Sequence, residues 1–269
     1  MEIIDAHLHF CADPYFDEIA RQAGHENTAG HLAAEYRRLG IVKGIVMGNR
    51  SLEPSAHEYP DFIRYCIGLD AFTETLSIEE QAGLVEENLK REECVGIKLY
   101  PGYKHFYIYE KEFAPIYALA EKYMKPVAVH TGLTASNNGL LKYSHPLVLD
   151  EAAVRWPQVQ FVMCHFGNPW LEDAVGVLEK NPNVAADFSG LLEQKISDSE
   201  RFVRKKQGYM RMLKDWLEYL DCYDRIMFGT DWPLANLEDY IWFMKKIIPQ
   251  EEWEKVFFST ANRIYGLGL

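Results

Sequence analysis

Cysteine is scarce in this chain: five residues in 269, an odd number, none in a Cys-x-x-Cys pair. Cys11, Cys66, Cys94, Cys164 and Cys222 thus offer neither a disulfide framework nor a cysteine-based zinc motif. They read as reduced thiols packed in the core of a cytoplasmic protein. Basic charge is also in deficit, with 28 Lys and Arg against 40 Asp and Glu, a net −12 with histidine neutral. That balance argues against a nucleic-acid partner. No apolar run reaches the roughly 18 residues of a membrane span. The start, Met1 to Asp5, lacks the basic region and apolar stretch of a signal peptide, so no membrane partner is expected. Neither a G-x-G-x-x-G turn nor a Walker loop occurs, which argues against an open dinucleotide- or nucleotide-binding sheet.

What the chain does have is 48% hydrophobic residues, set out as short β-rich runs with amphipathic stretches between them. Strands are predicted at 3–9, 41–48, 61–70, 94–101, 125–132, 159–167, 183–190 and 225–233. From start to start they recur every 32 or so residues on average, about the size of one βα unit. Most are nearly continuous apolar runs, as in parallel strands buried on both faces. Between them, Ile78, Ala82, Val85 and Leu89 carry helical spacing over 78–91, and Phe113, Tyr117 and Ala120 do so over 110–123. Ser77 and Glu80 have the spacing of a capping box. The fold class is therefore α/β, a single (β/α)8 TIM barrel over 1–269, with chemistry expected at the C-terminal ends of the strands. Two stretches on that face, 10–27 and 190–208, read as long irregular loops.

Four of the nine histidines stand at strand ends. His7 and His9 close the first strand in Asp-Ala-His-Leu-His, and alternation turns both into the barrel mouth, with Asp5 one layer below. His130 ends the fifth strand, His165 the sixth, and Asp231 the eighth. Imidazole nitrogens and a carboxylate oxygen converging on one end of a barrel form a donor set for zinc or another divalent transition metal. A single strand-end histidine would signify little; the conjunction of five such residues is the signal. His25, His31, His57, His105 and His145 fall in loops or helices and read as locally hydrogen-bonded. Cys164, next to His165, is expected to face outward by the same alternation. The basic cluster Arg201, Arg204, Lys205, Lys206, Arg211 and Lys214 reads as a solvated helix face.

The order His-x-His, His, His, Asp at the ends of strands one, five, six and eight resembles the amidohydrolase superfamily. Gly-Ile-Lys-Leu-Tyr-Pro at 96–101, Gly-Thr-Asp-Trp-Pro at 229–233 and Ala-Asn-Arg-Ile-Tyr-Gly-Leu at 261–267 are similar to the branch containing aminocarboxymuconate-semialdehyde decarboxylase. The resemblance implies that His7, His9, His130 and Asp231 bind one divalent ion, zinc first, with manganese or iron as alternatives. It implies catalytic roles for His165 and Asp231 in moving protons. Lys98, on the fourth strand, is read as binding a substrate anion, with an internal salt bridge and a carboxylated metal bridge as the other readings. Arg50, Tyr100, Trp170 and Trp232 flank the mouth and are candidate substrate contacts.

The expected activity is metal-dependent hydrolysis of an ester, lactone or amide-like bond in a small, anionic organic substrate. The alternative is nonoxidative decarboxylation of an aromatic or dienoic acid at the same site. The expected partner is a small molecule. A homodimer is the further expectation, with Trp216, Tyr219 and Trp253 as candidates for an outer apolar patch.

Overall fold

The structure is a computed structural model that describes every residue except Cys11, Arg50 and 70–75. Among the described residues, eight parallel strands lie side by side in sequence order. They are β1 (Ile3–Leu8), β2 (Ile41–Met47), β3 (Ile63–Leu69), β4 (Cys94–Leu99), β5 (Val127–Val129), β6 (Phe161–Met163), β7 (Val184–Asp187) and β8 (Ile226–Met227). Backbone bonds join the last to the first: Ala6 N donates to Phe228 O at 2.9 Å, Asp231 N to His7 O at 2.8 Å, and His9 N to Trp232 O at 2.7 Å. The chain is thus the expected (β/α)8 barrel.

Nine helices are described around it: α1 (Pro14–Gln22), α2 (Ala29–Leu39), α3 (Ile78–Leu89), α4 (Ala114–Tyr123), α5 (Leu147–Arg155), α6 (Leu171–Lys180), α7 (Ser199–Leu220), α8 (Leu237–Ile247) and α9 (Thr260–Ile264). None is long and apolar enough to cross a membrane. Two apolar cores separate cleanly. An inner one joins Ile4, Ile45, Met47, Val162 and Met227 to Ala261, Ile264 and Tyr265 of the C-terminal segment. An outer one packs strand residues such as Leu99, Val129 and Phe161 against the helices. The predicted capping box is present at α3: Ser77 Oγ accepts from Glu80 N at 3.2 Å, and Glu80 Oε2 from Ser77 N at 2.8 Å.

Four expectations need correction. The stretch 10–27 is not irregular, because it contains α1. Asp13 accepts from Tyr15 N at the N-cap, Pro14 occupies the first turn, and Phe16 and Ala20 are buried one turn apart. The stretch 190–208 likewise gives way to α7 at Ser199, capped by Asp198. Asp5 does not share a face with His7. The pairing Asp5 with Gly44 and Leu8 with Val46 marks a bulge in β1, which breaks strict alternation. Asp5 turns instead to α2 and the segment after β8, accepting from Tyr36 Oη (2.9 Å), Thr230 Oγ1 (2.6 Å) and Thr230 N (2.9 Å). Cys164, finally, faces inward, accepting from Lys98 Nζ at 2.8 Å. The alternation rule fails there because His165 has φ +62°, so both neighbours reach the interior side.

Behind the mouth, His25 packs at a tilt against Trp232 with ring centroids 4.7 Å apart. Its Nε2 accepts from Leu237 N at 3.1 Å and its Nδ1 bonds His31 Nε2 at 2.9 Å. Burial pushes the His25 imidazole down to about 4. The unfolded chain then takes up its proton near 6.5 while the folded chain stays neutral, so stability should fall as pH drops from about 6.5 towards 4. Urea unfolding of wild type and His25→Gln at neutral and mildly acidic pH measures this; a variant with the same pH dependence as wild type removes His25 as its source. Tyr36→Phe and Thr230→Val, which each take one donor from buried Asp5, should cost about 1–2 kcal/mol apiece in the same assay. Unchanged midpoints would show that Asp5 does not staple β1 to α2 and the segment after β8.

Candidate metal centre

Most of the functional residues lie where regular structure stops. His7 is placed by the β1 bulge and His9 stands one residue beyond the strand. His130 follows β5 directly. His165 and Asp231 both adopt left-handed backbone, φ +62° and +57°, a conformation few non-glycine residues take. Each uses it to turn its side chain toward the mouth.

His7 Nε2 lies 3.4 Å and His9 Nε2 3.3 Å from Asp231 Oδ1. His7 Nε2, His130 Nε2 and Asp231 Oδ1 are buried without any hydrogen-bond partner. The neighbouring hydrogen bonds show why these atoms present lone pairs. Asp187 Oδ2 lies 2.9 Å from His7 Nδ1, so that nitrogen carries the proton. Ser189 Oγ donates its one proton to Asp187 Oδ1 at 2.5 Å and therefore accepts from His165 Nδ1 at 2.8 Å. His165 Nε2 must then accept from His130 Nδ1 at 3.1 Å, which leaves His130 Nε2 as a lone pair. An unprotonated His7 Nε2 facing a carboxylate oxygen at 3.4 Å is repelled by it unless a cation lies between them. The donor set thus fits a divalent ion, and the carboxylate–histidine arrangement is one that orients metal ligands.

Burial pushes His7 and His130 below the ordinary imidazole range, and His165 down to about 4. All three rings are neutral at neutral pH, the state in which imidazole ligates. The histidine rings around Asp231 hold its carboxyl below the usual range against its burial. Two groups of donor atoms lie within 4.8 Å of one another: His7, His165 and Asp231, and His7, Cys164 and Asp187. Both nitrogens of His165 are already engaged. In the second group burial keeps the Cys164 thiol protonated and Asp187 is committed to His7. The open lone pairs are thus those of His7 Nε2, His130 Nε2 and Asp231 Oδ1, with His9 Nε2 3.3 Å from the last.

A cavity of about 630 Å³ opens over these residues. Lys98 and Tyr100 line it, as expected from sequence. Lys98 is fully buried, with Nζ 5.3 Å from the Tyr100 ring centre, and Tyr100 Oη donates to Gly48 O at 2.9 Å. Trp170 and Trp232 do not line the cavity. Trp232 follows Asp231 on the opposite side of the chain, so it is buried against His25 and His31. Trp170 leads into α6 and packs on His145 at 4.9 Å. Arg50 lies outside the described residues. Sequence reasoning missed Asp187 and Ser189, although Asp187 ends β7 in Ala-Ala-Asp-Phe-Ser-Gly and the strand-end criterion that selects His130 would have found it. It also missed Phe16, Asn168 and Glu193, which reach the cavity from loops and α1 and carry no motif.

The barrel is shared with solved structures of low sequence identity. An uncharacterized Tim-barrel protein from Bordetella bronchiseptica matches at 21% identity over 99% of both chains, with a TM-score of 0.73. A 5-carboxyvanillate decarboxylase from Novosphingobium aromaticivorans, complexed with manganese and a nitrobenzoic acid, matches at 14% over 98% of this chain and 96% of its own, TM-score 0.68. A probable 2-pyrone-4,6-dicarboxylic acid hydrolase from Acinetobacter baumannii with citric acid bound matches at 18% over 99% and 100%, TM-score 0.65. No curated protein matches the sequence. The model of the amidohydrolase family matches residues 4–267, almost the whole chain, and by that match the protein belongs to the amidohydrolase family.

Proposed function

We propose that this amidohydrolase-family enzyme is a mononuclear metal-dependent hydrolase acting on an ester, lactone or amide-like bond of a small organic substrate. The observation that supports it is the group of unpartnered lone pairs on His7, His130 and Asp231, with His9 Nε2 beside them, under a cavity of substrate size. These four residues would hold one divalent ion, zinc by the chemistry of the donor set, with manganese or iron as alternatives. The ion would supply Lewis acidity towards a carbonyl and a water.

The protein groups would do the rest. Asp231 Oδ2 lies 3.9 Å from His165 Nδ1, so a carboxylate and a neutral imidazole stand together where a proton must be taken and returned. A proton arriving on His165 Nε2 would displace the bond from His130 Nδ1 and create an imidazolium whose Nδ1–H already points to Ser189 and, through it, to the ionised Asp187. Lys98 spends one of its three N–H donors on Cys164 and would direct its charge at an anionic group of the substrate. A second reading, nonoxidative decarboxylation, draws support from the cavity wall, where Tyr15, Phe16, Tyr100 and Tyr103 suit a planar ring, and from the decarboxylases among the structural neighbours.

Elemental mass spectrometry of the purified protein should find about one divalent ion per chain, lost in the His7→Ala/His9→Ala variant. No metal after reconstitution would overturn the reading. Asp187→Asn should weaken metal retention against a chelator about 10- to 100-fold by releasing the tautomers of His7 and His165; wild-type retention would remove Asp187 from that role. Incubation with lactones, esters and hydroxybenzoates separates the two reactions, since release of CO2 without hydrolysis would establish the second.

A further inference from the structure

Beside the main cavity lies a second one of about 390 Å³. The two share Asn168, Gly190 and Glu193 as lining residues, so they are neighbouring compartments of one cleft. Gly190 marks how near the shared wall is to the chemistry. A Cβ there would come within 2.9 Å of His165 Nδ1 and 3.2 Å of Asp231 Oδ2.

The far wall is one face of α7, where Phe202, Lys206 and Tyr209 recur at helical spacing. Tyr209 Oη donates to Asn168 Oδ1 at 3.2 Å, which leaves the amide N–H groups of Asn168 as the atoms that side chain can offer to a guest. Glu193 brings a carboxylate and Lys206 an ammonium to the same pocket. Among the described residues, no hydrogen bond or ion pair joins these two to each other or engages either with another side chain.

Resting on the reading that the reacting bond lies at the metal centre, we propose that the second cavity holds the non-reacting part of the substrate and that this part is a neutral, polyhydroxylated ring such as a sugar. A guest of either net charge would gain from one of these two groups and lose to the other, so the two charges favour neither sign. Adjacent hydroxyls satisfy both, donating to Glu193 and accepting from Lys206 and Asn168. The aromatic faces of Phe202 and Tyr209 match the apolar C–H face of such a ring. The volume lies within the range of small-molecule pockets.

The test is equilibrium binding by saturation-transfer NMR, with no turnover, of three probes that share one ring: methyl glucoside (neutral), glucuronate (anionic) and glucosamine (cationic). Methyl glucoside should bind saturably in the millimolar range, with the two charged rings about tenfold weaker. Glu193→Gln should recover glucuronate, Lys206→Met should recover glucosamine, and Phe202→Ala should weaken all three. Glu193 and Lys206 are exposed, and matched melting curves would confirm that their variants are folded. Absence of saturable methyl glucoside binding, equal binding of the three rings, or indifference to both charge changes would overturn the proposal. Such a failure leaves the metal centre and hydrolysis standing, whereas an absent metal with sugar binding intact would fault that reading alone.

Discussion

The carboxylate of Asp187 is the constraint on which the centre depends. It is fully buried, so its charge must be met by donors or it would cost several kcal/mol. Four donors meet it: His7 Nδ1, the His165 and Ser189 backbone amides, and Ser189 Oγ. Each bond takes a proton that could have pointed elsewhere. His7 is left with a bare Nε2, and the chain through Ser189 and His165 leaves His130 with another. One unprotonated carboxyl group thus determines which atoms of three rings face the cavity. Its own acidity is consistent with that arrangement, because His7 and His165 hold it below the ordinary carboxylate range despite burial.

The regular barrel supplies rigidity and the irregular backbone supplies aim. Strands β5 to β8 are each two to four residues long, and beyond them the chain leaves extended geometry at the positions the chemistry requires. His165, Phe166 and Asp231 all have positive φ, a conformation that costs a non-glycine residue about 1–2 kcal/mol. The barrel can sustain that because the adjoining strands are locked by burial on both faces and by the seam that Asp5 ties between β1, α2 and the segment after β8.

The same geometry suits two reactions. A divalent ion, were it held there beside neutral imidazoles and buried Lys98, would serve hydrolysis at a carbonyl and loss of CO2 from a ring acid alike. What separates them is the shape and charge of the cavity wall. That wall is assembled from α1, the segments after β4 and β5, Asn168 and Glu193, none of which belongs to the strand framework.

The strand framework was legible in the sequence because burial on both faces writes a continuous apolar run at each strand, and the βα repeat spaces those runs evenly. His7, His9, His130, His165 and Asp231 were legible for a related reason: a strand end is a place the sequence marks, and polar residues there have few roles. Tertiary structure alone decided the rest. The bulge that parts Asp5 from His7, and the left-handed turn that brings Cys164 and His165 to one side, are departures from alternation that a period-two rule cannot register. Trp232 looked like a cavity residue and is packed behind it, because facing is set by the backbone angle of Asp231. The tautomers of His7, His130 and His165 depend on contacts across up to 180 residues of chain. Proton positions follow from who is opposite whom in space, and no local pattern of residues records that.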